Sequence, residues 1–106
     1  MIKKILFILF LSVITVSFSQ EKTLEGLSAA PNPFTNFTNI SYTTNSASKI
    51  TLSVKNVLGK NVFNKVYASK NGKNTIPFYK DNLSSGVYIY SIKSDDKIVS
   101  KRLVIK

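Results

Sequence analysis

The sequence contains no cysteine and no histidine. The first absence rules out disulfides, thiolate metal sites and a thiol nucleophile. The second removes the commonest general base and metal ligand. Acids are scarce as well: Glu21, Glu25, Asp81, Asp95 and Asp96 are all five. The two glutamates precede the regularly patterned part of the chain, and Asp95 and Asp96 share one short connection. A carboxylate pair for acid–base chemistry, or an oxygen cage for calcium, is hard to draw from that stock. No catalytic residue, metal site or cofactor is expected, and the sequence points away from an enzyme.

Positive charge, in contrast, is plentiful, and the net charge is +10 over 106 residues. One reading is a solubilising surface. The other is attraction to a polyanion such as nucleic acid, anionic lipid or polysaccharide. The N-terminus bears on that choice. Met1-Ile2-Lys3-Lys4 is a short basic stretch, Ile5 to Val16 is almost wholly apolar, and Ser17-Phe18-Ser19 offers small residues ahead of Gln20. This three-part layout is that of a secretory signal peptide over residues 1–19. Its apolar core of about a dozen residues falls short of the roughly twenty that span a bilayer. Loss of Lys3 and Lys4 on cleavage lowers the charge from +10 to +8. The expected mature protein is exported, with no transmembrane segment. Export, and the lack of a basic helix or an aromatic RNA-binding signature, argue against nucleic acid as a partner.

Residues 20–30 lack periodicity and read as a short linker. Pro31-Asn32-Pro33 then removes two N–H donors, which suits the start or the edge of a sheet. From Thr38 onward the chain alternates apolar and polar residues over short runs: Thr38 to Thr44, Lys49 to Lys55, Asn61 to Ala68 and Asn74 to Tyr79. The run over Asn61 to Ala68 alternates imperfectly, as at a bulge. Pro77 marks the next run as an edge strand. The most strand-like stretch is the last: Val87 to Lys93 and Ile98 to Lys106 flank the turn Ser94-Asp95-Asp96-Lys97, a β-hairpin pattern. Turn residues recur at the spacing of an all-β domain, so the fold class is an immunoglobulin-like antiparallel β-sandwich of about six or seven strands over residues 31–106.

Several segments, in order, carry a resemblance. They are Pro31-Asn32-Pro33; Asn56-Val57-Leu58-Gly59-Lys60; Leu83-Ser84-Ser85-Gly86-Val87-Tyr88-Ile89-Tyr90-Ser91-Ile92; and Ser100-Lys101-Arg102-Leu103-Val104-Ile105-Lys106. Together they resemble the type A C-terminal sorting domain of the type IX (Por) secretion system of Bacteroidetes. The resemblance implies a non-enzymatic domain that directs export across the outer membrane to the cell surface or the medium. The implied partners are the outer-membrane type IX translocon and its sortase-like protease, with anionic lipopolysaccharide as the attachment point for cargo. The implied recognition residues are Pro31, Asn32, Pro33, Gly59, Gly86, Tyr88, Lys101, Arg102, Leu103, Val104, Ile105 and Lys106. An exposed final strand would add to a partner's sheet edge, with Lys101, Arg102 and Lys106 supplying charge.

Each of these residues also has a plainer role open to it. The prolines cap an edge, Gly59 and Gly86 serve turn geometry, Tyr88 packs, and Lys101 and Arg102 guard an edge against aggregation. The chain departs from the family pattern in leaving almost no cargo between signal peptide and domain. A small secreted adhesin or carbohydrate-binding sandwich is the alternative function.

Overall fold

The computed structural model describes residues 23–95 and 97–106. The expected signal peptide lies outside them. Seven strands follow one another: β1 (Leu24–Ala30), β2 (Phe37–Thr44), β3 (Lys49–Lys55), β4 (Asn61–Ala68), β5 (Gly72–Tyr79), β6 (Gly86–Ser94) and β7 (Lys97–Ile105). They form two antiparallel sheets, one ordered β1-β2-β5 and the other β4-β3-β6-β7. The sandwich expected from the sequence is the observed fold.

Alternation decides which faces meet. Along β3, Ile50, Leu52 and Val54 are buried while Lys49 and Lys55 are exposed, as a period of two demands. The matching inward residues are Ile40 and Tyr42 on β2, Ile76 and Phe78 on β5, Tyr88, Tyr90 and Ile92 on β6, and Leu103 and Ile105 on β7. Apolar burial between the sheets is the main favourable term in folding. The imperfect run in β4 is a bulge: Val54 pairs with Phe63 and Lys55 with Asn61, which leaves Val62 as the extra residue. Pro77 lies on β5, an edge strand of its sheet.

One expectation is corrected. Leu24–Ala30, read as linker, is strand β1 and pairs with β2 along the edge of the three-stranded sheet. The sequence hid it for a physical reason. Gly26 sits at a φ of +67°, and the register with β2 shifts between Glu25 and Ser28, so a bulge interrupts the alternation. Leu27 alone marks the buried side clearly.

Candidate recognition surface

Antiparallel pairing places the end of each odd-numbered strand near the start of an even-numbered one. Ala30 faces Asn39, Phe37 faces Tyr79, and Gly86 faces Ile105. A parallel bridge between Phe34 and Ile105 ties the two sheets together at this end. The result is one pole built from the 31–36 segment, the 56–60 turn, the 80–85 loop and the end of β7. Segments separated by seventy residues and more in the sequence meet there, as Asn32 and Arg102 do. The four motif segments named from the sequence are therefore neighbours in space.

Each piece of the pole has a local cause. In the 56–60 turn, the Asn56 Oδ1 accepts from the backbone N–H groups of Leu58 and Lys60, each at 3.0 Å, and Gly59 N–H donates to the Asn56 carbonyl at 3.0 Å. Gly59 has a φ of +81°, and a Cβ there would meet no atom, so conformation rather than space requires glycine. Val57 and Leu58 are left at the tip, 77% and 88% exposed. Opposite them, Tyr88 is buried and its hydroxyl donates to the Ser84 carbonyl at 2.7 Å, which pins the loop ahead of β6. Between the turn and that loop runs a groove of about 510 Å³, lined by Val57, Leu58, Val62, Leu83, Gly86 and Tyr88 among others.

The 31–34 segment leaves β1, crosses to the other sheet and lies along the outer edge of β7. The Asn32 carboxamide donates from Nδ2 to the Arg102 carbonyl and accepts at Oδ1 from Val104 N–H, both at 3.0 Å. Phe34 N–H donates to the Val104 carbonyl at 3.0 Å, and Lys106 N–H donates to the Phe34 carbonyl at 2.8 Å. The Phe34 ring is buried edge-on to Phe78, their centroids 6.2 Å apart.

The residues named from the sequence thus divide into two sets. Pro31, Asn32, Pro33, Gly59, Gly86, Lys101, Arg102 and Lys106 are exposed, and all but Lys101 and Arg102 belong to the loops and chain end of the pole. Tyr88, Leu103 and Ile105 are buried in the core, and Val104 is half-buried. The exposed final strand expected for partner addition is corrected in two respects. Leu103 and Ile105 are committed to packing, and Asn32 and Phe34 already occupy the far part of the β7 edge. Val57 and Leu58 lie within a motif segment quoted from the sequence, yet only Gly59 of that segment was expected to be a recognition residue. The signal was present, since two adjacent apolar residues inside an Asn-to-Gly turn run against turn chemistry.

Exposed cations Lys60 and Lys106 and exposed Asp81 give the pole a basic balance. Burial pushes the core phenols of Tyr42 and Tyr90 above their ordinary value, and neither lines the groove. Among the described residues, no group of three or more acidic side chains could hold a metal ion.

Comparison with known proteins follows the same lines. No curated protein matches the chain. Among solved structures, it is similar to dimeric latent PorU from Porphyromonas gingivalis, with a TM-score of 0.68 and 13% identity over 85% of this chain. That likeness covers only 10% of PorU and speaks to the fold alone. A β-glucosidase from Listeria innocua in complex with isofagomine aligns with a TM-score of 0.47 and 11% identity, over 80% of this chain and 16% of that one, too weak to carry an argument. The secretion system C-terminal sorting domain family matches residues 28–106. The chain belongs to this family of type IX sorting domains, which marks it for export across the outer membrane to the cell surface or the medium.

Proposed function

We propose that the domain is an address rather than a catalyst, and that the secretion machinery reads it at the pole where the four motif segments converge. The observation that carries this reading is the apolar tip Val57-Leu58, held out beside the groove by a turn whose hydrogen bonds fix its shape. Two large apolar side chains so exposed on an exported domain serve a contact better than solubility. The basic chain end at the same pole adds charge recognition of an acidic receptor surface. In this reading residues 1–19 deliver the chain to the periplasm, and the outer-membrane translocon engages the folded sandwich. A sortase-like protease then separates the domain from whatever precedes it, and anionic lipopolysaccharide receives that cargo.

The test is a secreted reporter followed by residues 24–106, expressed in a bacterium with a type IX system. The unaltered fusion is expected at the surface or in the medium. The double variant Val57→Asp, Leu58→Asp changes exposed side chains only, so its circular dichroism should match the parent while the reporter stays in the periplasm. Export of the double variant at the parental level would overturn the role given to the pole.

A further inference from the structure

The hydrogen bonds at the β7 edge have a pattern beyond simple attachment. Phe34 makes a parallel rung opposite Ile105: its N–H donates to the carbonyl before that residue, and its carbonyl accepts from the N–H after it. The Asn32 side chain repeats the same pattern one rung earlier, opposite Leu103. Its Nδ2 donates to the Arg102 carbonyl and its Oδ1 accepts from Val104 N–H. A carboxamide has the donor and acceptor of a peptide group, so it can stand in for one. The flanking prolines explain why a side chain is used. Neither has an N–H to offer, so the main chain around Asn32 is short of donors for this edge.

This surrogate strand stops at Arg102. In β7 the odd-numbered residues from Lys97 to Ile105 turn their backbone groups toward β6, and the even-numbered ones turn outward. Asn32 and Phe34 satisfy the outward carbonyls of Arg102 and Val104 and the outward N–H groups of Val104 and Lys106. The outward N–H of Arg102 and both groups of Ile98 and Ser100 meet no backbone partner among the described residues. Ile98 is 63% exposed, and Ser100, Lys101 and Arg102 are exposed. Residues 98–106 contain three cations and no acid.

We propose that the outer edge of β7 from Ile98 to Arg102 is an acceptor site for an extended acidic peptide strand, and that Asn32 sets its boundary. An unpaired edge is a template for strand addition, and main-chain bonds supply affinity there while neighbouring side chains supply selectivity. A strand laid along this edge sets its alternate side chains beside Ile98 and Arg102 on one face, and beside Val99 and Lys101 on the other. An apolar residue suits Ile98 on the first face, and an acid suits Lys101 on the second. The Asn32 carboxamide keeps the site short and prevents the added strand from reaching the core-forming end of β7.

The experiment follows backbone amide resonances of the full chain on titration with a peptide of alternating valine and glutamate. A peptide of alternating valine and lysine serves as control. Expected shifts centre on Ile98, Ser100 and Arg102 for the acidic peptide, with little response to the basic one. Ser100→Pro removes an outward donor together with the hydroxyl that meets Ser91 at 2.7 Å, so Ser100→Ala is its reference, and against that variant it should weaken binding about tenfold, the worth of roughly one hydrogen bond. Asn32→Ala should carry the footprint on to Val104, whose amide also becomes quicker to exchange. The proposal is overturned if the acidic peptide perturbs another surface, if both peptides bind alike, or if Ser100→Pro binds as well as Ser100→Ala. It is equally overturned if Asn32→Ala leaves the Val104 amide as protected as before. None of these readouts depends on export, so a failure of the sorting reading at the pole would be seen separately.

Discussion

At the scale of single residues, the informative side chains are polar ones placed where the backbone lacks a partner. Asn32 supplies a rung to β7, Asn56 closes the turn that carries Val57 and Leu58, and Asn74 ties a loop at the other end of the sandwich. The Asn74 carboxamide accepts from Lys70 N–H at 3.0 Å and donates to the carbonyls of Lys70 and Gly72 at 2.9 and 3.1 Å. Tyr42 is a different case, since its hydroxyl is paired with Ser69 inside the core. Burial, the larger effect, raises the Tyr42 phenol above its usual 10.0, and the Ser69 bond lowers it by less. A folded-state value raised above the unfolded one means that the folded chain holds its proton longer. Stability should therefore be level through neutral pH and fall as pH climbs past the unfolded value of 10.0 toward the higher folded one. Chemical denaturation across that range checks it. Tyr42→Phe should flatten part of the alkaline fall, while costing about 1 kcal/mol at neutral pH through the orphaned Ser69 hydroxyl. Tyr90, raised by the same burial, accounts for part of what remains.

At the scale of elements, β7 carries two duties at once. It carries exposed Lys101 and Arg102 and is followed by exposed Lys106, yet Leu103 and Ile105 between them are 0% and 2% exposed. Deleting residues 101–106 would remove two core side chains together with the rungs to β6 and the 31–34 segment. Truncating one such side chain costs about 2–5 kcal/mol, against a stability of about 5–15 kcal/mol for a whole domain. The deletion is thus expected to unfold the domain, with loss of its β-type circular dichroism. The triple variant Lys101→Ala, Arg102→Ala, Lys106→Ala should keep that signal. A role for the strand's charges in export is readable only from the second variant. The sequence made β3 easy to see by its alternation, and β6 and β7 by their β-branched and aromatic runs on either side of a short turn. It concealed β1, where the Gly26 bulge and the small residues Ser28, Ala29 and Ala30 blur the period.

At the scale of the molecule, the chain carries +10 formal charge with only five acids to offset it. Like charges on a small exported domain repel, and dissolved salt screens them over a distance of about 10 Å at 0.1 M. Melting temperature should rise by about 3 °C between low ionic strength and 0.15 M salt, the equivalent of roughly half a kcal/mol in a domain of this size. Scanning calorimetry at the two salt concentrations decides the matter, and a fall in melting temperature would refute it. The outer face of the four-stranded sheet shows where that charge resides. Lys55, Ile89 and Arg102 lie side by side across β3, β6 and β7, above a hydrogen-bonded row in which Ser91 and Ser100 meet at 2.7 Å.

The sequence by itself determined the all-β class, the inward faces of β2 and β3, the glycine at the 56–60 turn and the family. These follow from short-range rules, because alternation and turn chemistry act over a few residues. Tertiary structure alone decided three other matters: that the motif segments share one pole, that Leu103 and Ile105 belong to the core, and that Asn32 completes the edge of a strand seventy residues away. The physical reason lies in the topology. Whether an exposed-looking polar or apolar residue meets solvent, a groove or a backbone edge depends on which strands stand beside it. The chain settles that by changing sheets three times, after β2, β4 and β5.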